Sequence, residues 1–257
     1  MTDANSNPAT LVTAALLVIG DEILSGRTKD KNIGYIAEYL TAVGIDLMEV
    51  RVVGDDETAI VDALNALRHR YTYVFTTGGI GPTHDDITAE CIAKAFGKAL
   101  VIHPDIAVRI RARPAPPDVM ASRMLMARVP EGARLIDNPT GGPQGFAIEN
   151  VHVMAGIPLV MQAMLSSLEG KLRGGAVVKS LAVTAHLGES QIAAALGEIQ
   201  SRYPAIDLGS YPFAKDGRFG TTLVMRGTDE GALGRMRDEV RAVITAAGET
   251  PHDVLSQ

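Results

Sequence analysis

The strongest constraint on the fold is an alternation of two periods. Short apolar runs at residues 15–19, 47–53 and 73–76 are separated by segments whose apolar residues recur at i, i+3, i+4 and i+7. Ile33, Ile36, Ala37 and Leu40 follow the helical spacing after a capping-type Asn32, and Ile60, Ala63, Leu64 and Leu67 repeat it. The runs at 15–19 and 73–76 are almost continuously apolar, as strands covered on both faces are. The expected fold is therefore α/β, in three layers, with a mostly parallel sheet between helices.

A second pattern starts after "GKLRGG", residues 170–175. It reads strand 177–184, a helix with Ile192, Ala195, Leu196 and Ile199, strand 206–211, a turn at Asp216 and Gly217, strand 221–225, and a last helix through Leu233, Met236, Val240 and Ile244. This βαββα order predicts a second, smaller α+β domain. The boundaries expected are 11–171 for the first domain and 175–248 for the second, with loose termini at 1–10 and 249–257. Within the first domain, Pro158 suits the first turn of a helix whose Met161, Met164, Leu165 and Leu168 face the core. The stretch 103–145 is less regular and holds one short helix near 120–126.

The turn "TTGGIGPTHDD", residues 76–86, carries the chemistry. Gly78, Gly79 and Gly81 allow positive φ and close approach of a ligand to the backbone, and their N–H groups favour an anion. Thr76, Thr77 and Thr83 add hydroxyls. The spacing matches neither a Walker A loop nor G-x-G-x-x-G. A helix is expected to begin near Asp85, with Ile87, Cys91 and Ala95 on its inner side. Asp85 and Asp86 have two readings: helix capping, or carboxylates that share a divalent cation with a phosphate. Two further acidic turns, "GDEILSG" with Asp21 and Glu22 and "VGDD" with Asp55 and Asp56, follow other strands. In a parallel sheet all three converge at one rim, where ligands of open α/β sheets bind. Any one carboxylate serves as well for a cap as for a ligand, but their convergence suggests metal-assisted phosphoryl or nucleotidyl chemistry.

A net charge of −6 argues against a nucleic-acid partner. Arg109, Arg111, Arg113, Arg123, Arg128 and Arg134 nevertheless outnumber the acids Asp105, Asp118, Glu131 and Asp137 in the middle stretch, an excess that suits an anionic ligand or a solvated helix face. The apolar run 11–19 is too short to span a bilayer and lacks a basic flank, so no membrane or signal segment is expected. A single cysteine, Cys91, fits a reducing cytoplasm and reads as a small buried side chain.

"GDEILSGRTKDKN" at 20–32, "TTGGIGPTHDDIT" at 76–88, "N..G...GF" at 138–146 and "GIP..M" at 156–161 resemble the molybdopterin-binding domain of the MoaB/Mog type, and within it the amino-terminal domain of the competence/damage-inducible CinA branch. The segments "GESQIAAAL" and "DLGSYP" resemble the stretch that follows in CinA-type proteins and FAD synthases. The resemblance implies a homo-oligomer, dimer or trimer, that binds a pterin or nucleotide phosphate at the glycine turn. It implies Asp56 and Asp86 as catalytic and metal-linked carboxylates, holding Mg²⁺ or a similar divalent ion. Thr77, Gly78, Gly79, Gly81, Thr83 and Asp85 would form the ligand cradle, with Asp21, Glu22, Asn138, Gly141, Gly156 and Pro158 as further ligand-binding positions. Family members either activate molybdopterin by adenylyl transfer or, in the CinA branch, hydrolyse pyrophosphate bonds such as that of ADP-ribose. The expectation is a metal-dependent nucleotide pyrophosphatase; the alternatives are a non-catalytic pterin or nucleotide carrier and a molybdopterin adenylyltransferase. The chain departs from the family pattern at Ala155, at Val160 and in "GGPQGF". No amidohydrolase or adenylylating segment follows, so nicotinamide-nucleotide deamidation is not expected of it.

Overall fold

The structure, a computed structural model, describes residues 11–215 and 217–254. The loose start expected at 1–10, Asp216 of the expected turn and the end of the expected tail lie outside them. The chain divides into two compact units, Met1–Gly175 and Ala176–Gln257.

In the first unit the order is β1 (Thr13–Ile19), α1 (Asp21–Leu24), α2 (Asn32–Ala42), β2 (Asp46–Val53), α3 (Glu57–Arg68), β3 (Tyr73–Thr77), α4 (Thr88–Ala95), β4 (Leu100–Ile102), α5 (Pro104–Arg111), α6 (Pro117–Met124), β5 (Arg128–Pro130), β6 (Arg134–Ile136), β7 (Gly145–Ile148), β8 (Val151–Met154) and α7 (Pro158–Ser166). A six-stranded sheet runs β2-β1-β3-β8-β7-β6. Its first four strands are mutually parallel, while β7 is antiparallel to β8 and β6 to β7. β4 and β5 form a separate antiparallel pair.

β1 explains the three layers. Ala15, Leu17 and Ile19 enter a core with Ile60 and Leu64 of α3 and Ile92 of α4. Ala14, Leu16 and Val18 enter the opposite core with Ile36 and Leu40 of α2 and Met161 and Leu165 of α7. Successive side chains of a strand point to opposite faces, so an unbroken apolar run fills two cores at once. The α/β three-layer expectation therefore holds.

Several local expectations are corrected. Asn32 does not cap α2: Asp30 Oδ1 accepts the N–H groups of Asn32 (2.9 Å) and Ile33 (2.7 Å), and Asn32 is buried instead. Helix α4 starts at Thr88 rather than near Asp85. The irregular middle, 103–145, contains helices α5 and α6 and the short strands β5 and β6, where one short helix near 120–126 was expected.

The second unit consists of β9 (Lys179–Ala185), α8 (Ala193–Arg202), β10 (Asp207–Lys215), β11 (Arg218–Gly227), α9 (Glu230–Ala246) and β12 (His252–Val254). Its antiparallel sheet runs β10-β11-β9-β12, and Leu196 and Ile199 of α8 with Leu233, Met236, Val240 and Ile244 of α9 pack on Val183, Leu223 and Met225. The smaller α+β domain is thus present. The tail expected to be loose from 249 instead supplies β12, which pairs with β9 from His252↔Thr184 to Val254↔Ala182.

One core residue makes stability pH-dependent. His152 of β8 lies opposite Phe75 in register, its ring 5.2 Å from that of Phe75 and 5.7 Å from that of Tyr73, and its Nδ1 has no partner among the described residues. Burial lowers its pKa from 6.5 to about 4; the Arg134 charge adds to the fall and a backbone contact from Asn150 opposes it. The unfolded chain therefore takes up this proton first. The native state loses stability as pH falls from 6.5 toward 4, by up to about 3 kcal/mol at the bottom of that window. His152→Phe is expected to flatten the melting temperature against pH across it. An unchanged slope in that variant would assign the acid sensitivity to other groups.

Candidate functional site at the strand-end rim

Sheet direction gathers the site. β1, β2, β3 and β8 are parallel, so the segments after them leave at one rim. Because β7 reverses on β8 and β6 reverses on β7, the β6–β7 connection, which carries Asn138 and Gly141, reaches that rim as well. The glycine turn after β3 sits among them.

Backbone packing requires the glycines. Gly78 has φ 103°, and a Cβ there would lie 2.1 Å from the carbonyl oxygen of Ile19. Gly79 has φ 64°, and its Cβ would lie 2.2 Å from Oγ1 of Thr88. The Thr88 hydroxyl donates to the Gly78 carbonyl at 3.0 Å, and the Thr88 N–H to the Gly79 carbonyl at 3.0 Å. On the other flank a Cβ on Gly156 would meet Gly78 Cα at 3.2 Å, and Asn32 Nδ2 donates to the Gly156 carbonyl at 2.8 Å. Sequence reasoning missed this role of Asn32, whose signal was a polar residue on an otherwise apolar helix face. The Gly78 N–H is already bonded to the Met154 carbonyl (3.3 Å). Among the described residues the next N–H groups, of Gly79, Ile80 and Gly81, have no acceptor. Such successive free amides form a concavity suited to an anion.

The acids divide into different roles. Asp86 is not a helix cap: the N-cap of α4 is Ile87, with no side-chain bond. Asp86 Oδ2 accepts the Thr83 N–H at 2.8 Å and the Thr83 hydroxyl, closing the turn, and a Cβ on Gly81 would lie 2.6 Å from it. Asp56 is the N-cap of α3, its Oδ1 accepting the Ala59 N–H at 2.8 Å. Asp55 Oδ2 accepts the Asp21 N–H at 3.0 Å. Burial raises the pKa of Asp55, and the charges of Asp21, Glu22 and Asp85 raise it further while the Asp21 bond opposes them. The acidic turns thus meet around Asp55, which the sequence placed in the converging acidic set but not among the catalytic or ligand-binding positions. Among the described residues no three His, Cys, Asp or Glu side chains are grouped to hold a metal.

The remaining candidates are mostly structural. Asn138 is buried; its Oδ1 accepts from the N–H (3.1 Å) and hydroxyl of Thr140, and its Nδ2 donates to Pro143 O at 2.9 Å. Pro158 is at the start of α7. Thr77 is buried, and its hydroxyl has no partner among the described residues. Cys91 is 1% exposed, and burial pushes its thiol pKa up to about 11, far from a nucleophile's. A small hollow of about 10 Å³ lies between Gly79, Gly81, Asp86, Arg128 and Gln144, whose buried Oε1 lacks a partner among the described residues. It holds no more than a water.

A family model described as "Probable molybdopterin binding domain" matches residues 15–173, and one described as "FAD synthase, middle domain" matches 177–251. A Thermoplasma acidophilum protein is 30% identical over 245 residues, covering 92% of this chain and 94% of its own. A CinA-like protein of Salinibacter ruber is 34% identical over 202 residues, covering 72% of this chain but 48% of its own, so the present chain spans about half of that relative. The crystal structure of CinA from Thermoplasma acidophilum, a protein described as of unknown function, superposes with a TM-score of 0.57 at 32% identity, covering 63% of this chain and 98% of that one. Among the described residues no helix is long and apolar enough to cross a membrane. With the glycine turn, the acidic turns and the three-layer sheet in place, the chain belongs to the molybdopterin-binding-domain family of MoaB/Mog type, as a CinA-like member.

Proposed function

We propose that the chain binds a phosphorylated pterin or nucleotide at the glycine turn and hydrolyses pyrophosphate bonds in ADP-ribose-like nucleotides with a divalent cation. The observation that carries this reading is the run of acceptor-free N–H groups at Gly79, Ile80 and Gly81 beside the carboxylate of Asp86. The amides suit a phosphate oxygen, and the Asp86 oxygen not engaged by Thr83 lies at the same turn. The donor set fits one kind of ion. Without a three-residue cluster there is no protein cage, but Mg²⁺ is commonly held by one or two carboxylates with waters and substrate phosphates. Asp86 would be such a ligand, and the cation would supply charge neutralisation at the phosphate. Asp56, engaged by α3, is the weaker of the two carboxylates carried over from the family. The chain's own residues would fix the phosphate against the turn and keep its ring outside the small hollow. Assembly as a homo-oligomer in the cytoplasm belongs to the same reading.

The absence of a metal-binding cluster among the described residues favours a second reading, a carrier that holds its ligand without turnover. Incubation with ADP-ribose separates the two. The hydrolase reading expects AMP to accumulate with Mg²⁺ and to cease on chelation. Saturable ADP-ribose binding with no product in Mg²⁺, Mn²⁺ or Co²⁺ would establish the carrier instead.

A further inference from the structure

Next to the glycine turn, α5, α6 and the β6–β7 connection enclose a second hollow of about 170 Å³, lined by Arg109, Arg113, Arg123, Met126 and Gly141. Met126 also lines the small hollow beside Asp86, so the two are neighbours. We infer that this hollow is an anion subsite that takes a phosphoryl group of the ligand, beyond the phosphate held at the glycine turn. The inference rests on the proposed phosphate-ligand reading for the rest of the ligand.

Three observations support it. First, the guanidinium groups are already held in place. Arg109 Nη1 donates to the carbonyls of Asn138 and Gly142, both at 3.3 Å, and its Nη2 to Asp137 Oδ1 at 3.3 Å. Arg113 Nη2 donates to Gly141 O at 2.9 Å, and Arg123 Nη1 to the Arg113 carbonyl at 3.2 Å. Side chains ordered before binding lose less freedom when a ligand arrives. Secondly, a guanidinium carries five N–H donors, and Arg113 and Arg123 have each committed a single nitrogen, leaving most donors for a bidentate acceptor. Thirdly, the charge is unbalanced: three arginines line the hollow, and among the described residues the one carboxylate bonded to any of them is Asp137 on Arg109. In a chain of net charge −6 such a local excess of guanidinium groups suits an anion, which would offset their mutual repulsion.

The competing explanation is that the arginines only staple the β6–β7 connection. Arg109 and Arg113 do touch it, whereas among the described residues Arg123 bonds only to the Arg113 carbonyl. Arg123→Gln therefore isolates ligand binding from stapling. Inorganic pyrophosphate is titrated calorimetrically into the full chain without metal at low ionic strength, alongside melting temperatures. Wild type is expected to bind. Arg123→Gln is expected to weaken binding about tenfold or more, the scale of one lost charge-assisted bond, at an unchanged melting temperature. Arg111→Gln, an exposed residue outside the lining, should change nothing. Wild-type failure to bind pyrophosphate, or binding by Arg123→Gln within twofold of wild type, overturns the subsite. Arginine-dependent pyrophosphate binding in a protein that never hydrolyses ADP-ribose would sink the hydrolase reading and leave the subsite standing.

Discussion

Asp86→Asn is expected to lower ADP-ribose turnover about a hundredfold or more while leaving the protein folded, the loss typical when a charged group stops acting on the reacting phosphate. Asparagine is the informative replacement because of what Asp86 already does. Its Oδ2 accepts the Thr83 N–H and hydroxyl, and an amide oxygen in the same place can accept both. The turn should therefore stay closed, at a stability change of no more than about 1 kcal/mol. What disappears is the negative charge and the second oxygen, which a cation between Asp86 and a phosphate needs. Turnover and melting temperature are measured on the same preparation. A stable Asp86→Asn protein that hydrolyses ADP-ribose at the wild-type rate would reduce Asp86 to a turn-closing residue.

Gly78→Ala is expected to cost at least about 3 kcal/mol, which for a domain of this size lowers the melting temperature by roughly 6–12 °C. Two penalties combine there: a φ of 103° that side chains rarely adopt, and a Cβ position 2.1 Å from the Ile19 carbonyl, whose strand β1 is held between β2 and β3 and cannot move aside. Gly97→Ala is the control. Gly97 also has positive φ, at 60°, yet its Cβ would meet nothing within 4 Å, so only the conformational penalty of about 1 kcal/mol remains. Equal losses in the two variants would show that Gly78 is constrained by its dihedral alone and not by the packing of the turn on β1.

What the sequence made legible was whatever one period could encode. α2, α3 and α7 were readable because each repeats its apolar residues at a single spacing, and β1, β2 and β3 because each is a short apolar run between such segments. The β7–β8 hairpin was not. Its turn is Glu149-Asn150, with Glu149 at φ 48°, rather than an Asn-Gly or Asp-Gly pair, and β8 places His152 within an apolar core. Helix α5 was obscured by its arginines, which mask the buried Ile106 and Ile110. At the site, the glycine turn and the meeting of acidic turns could be anticipated, since parallel strands deliver their ends to one rim. Which carboxylate does what could not. Asp56 capping α3, Asp86 reaching back to Thr83 and Asp55 meeting Asp21 are decided by side-chain direction, and "VGDD" and "THDD" look alike in one dimension.

The unbroken burial of β1 limits how this molecule can change over time. A strand with one wet face has every second position free to drift, but β1 has none, since Ala14, Ala15, Leu16, Leu17, Val18 and Ile19 are all enclosed. A replacement at any of them disturbs one of two cores, and a polar one strands an unsatisfied group in the middle of the domain. An exposed rim side chain such as His84 carries no such load. Novelty in this architecture therefore has an address: the open side chains of the rim can be exchanged while the strand beneath them keeps the same text.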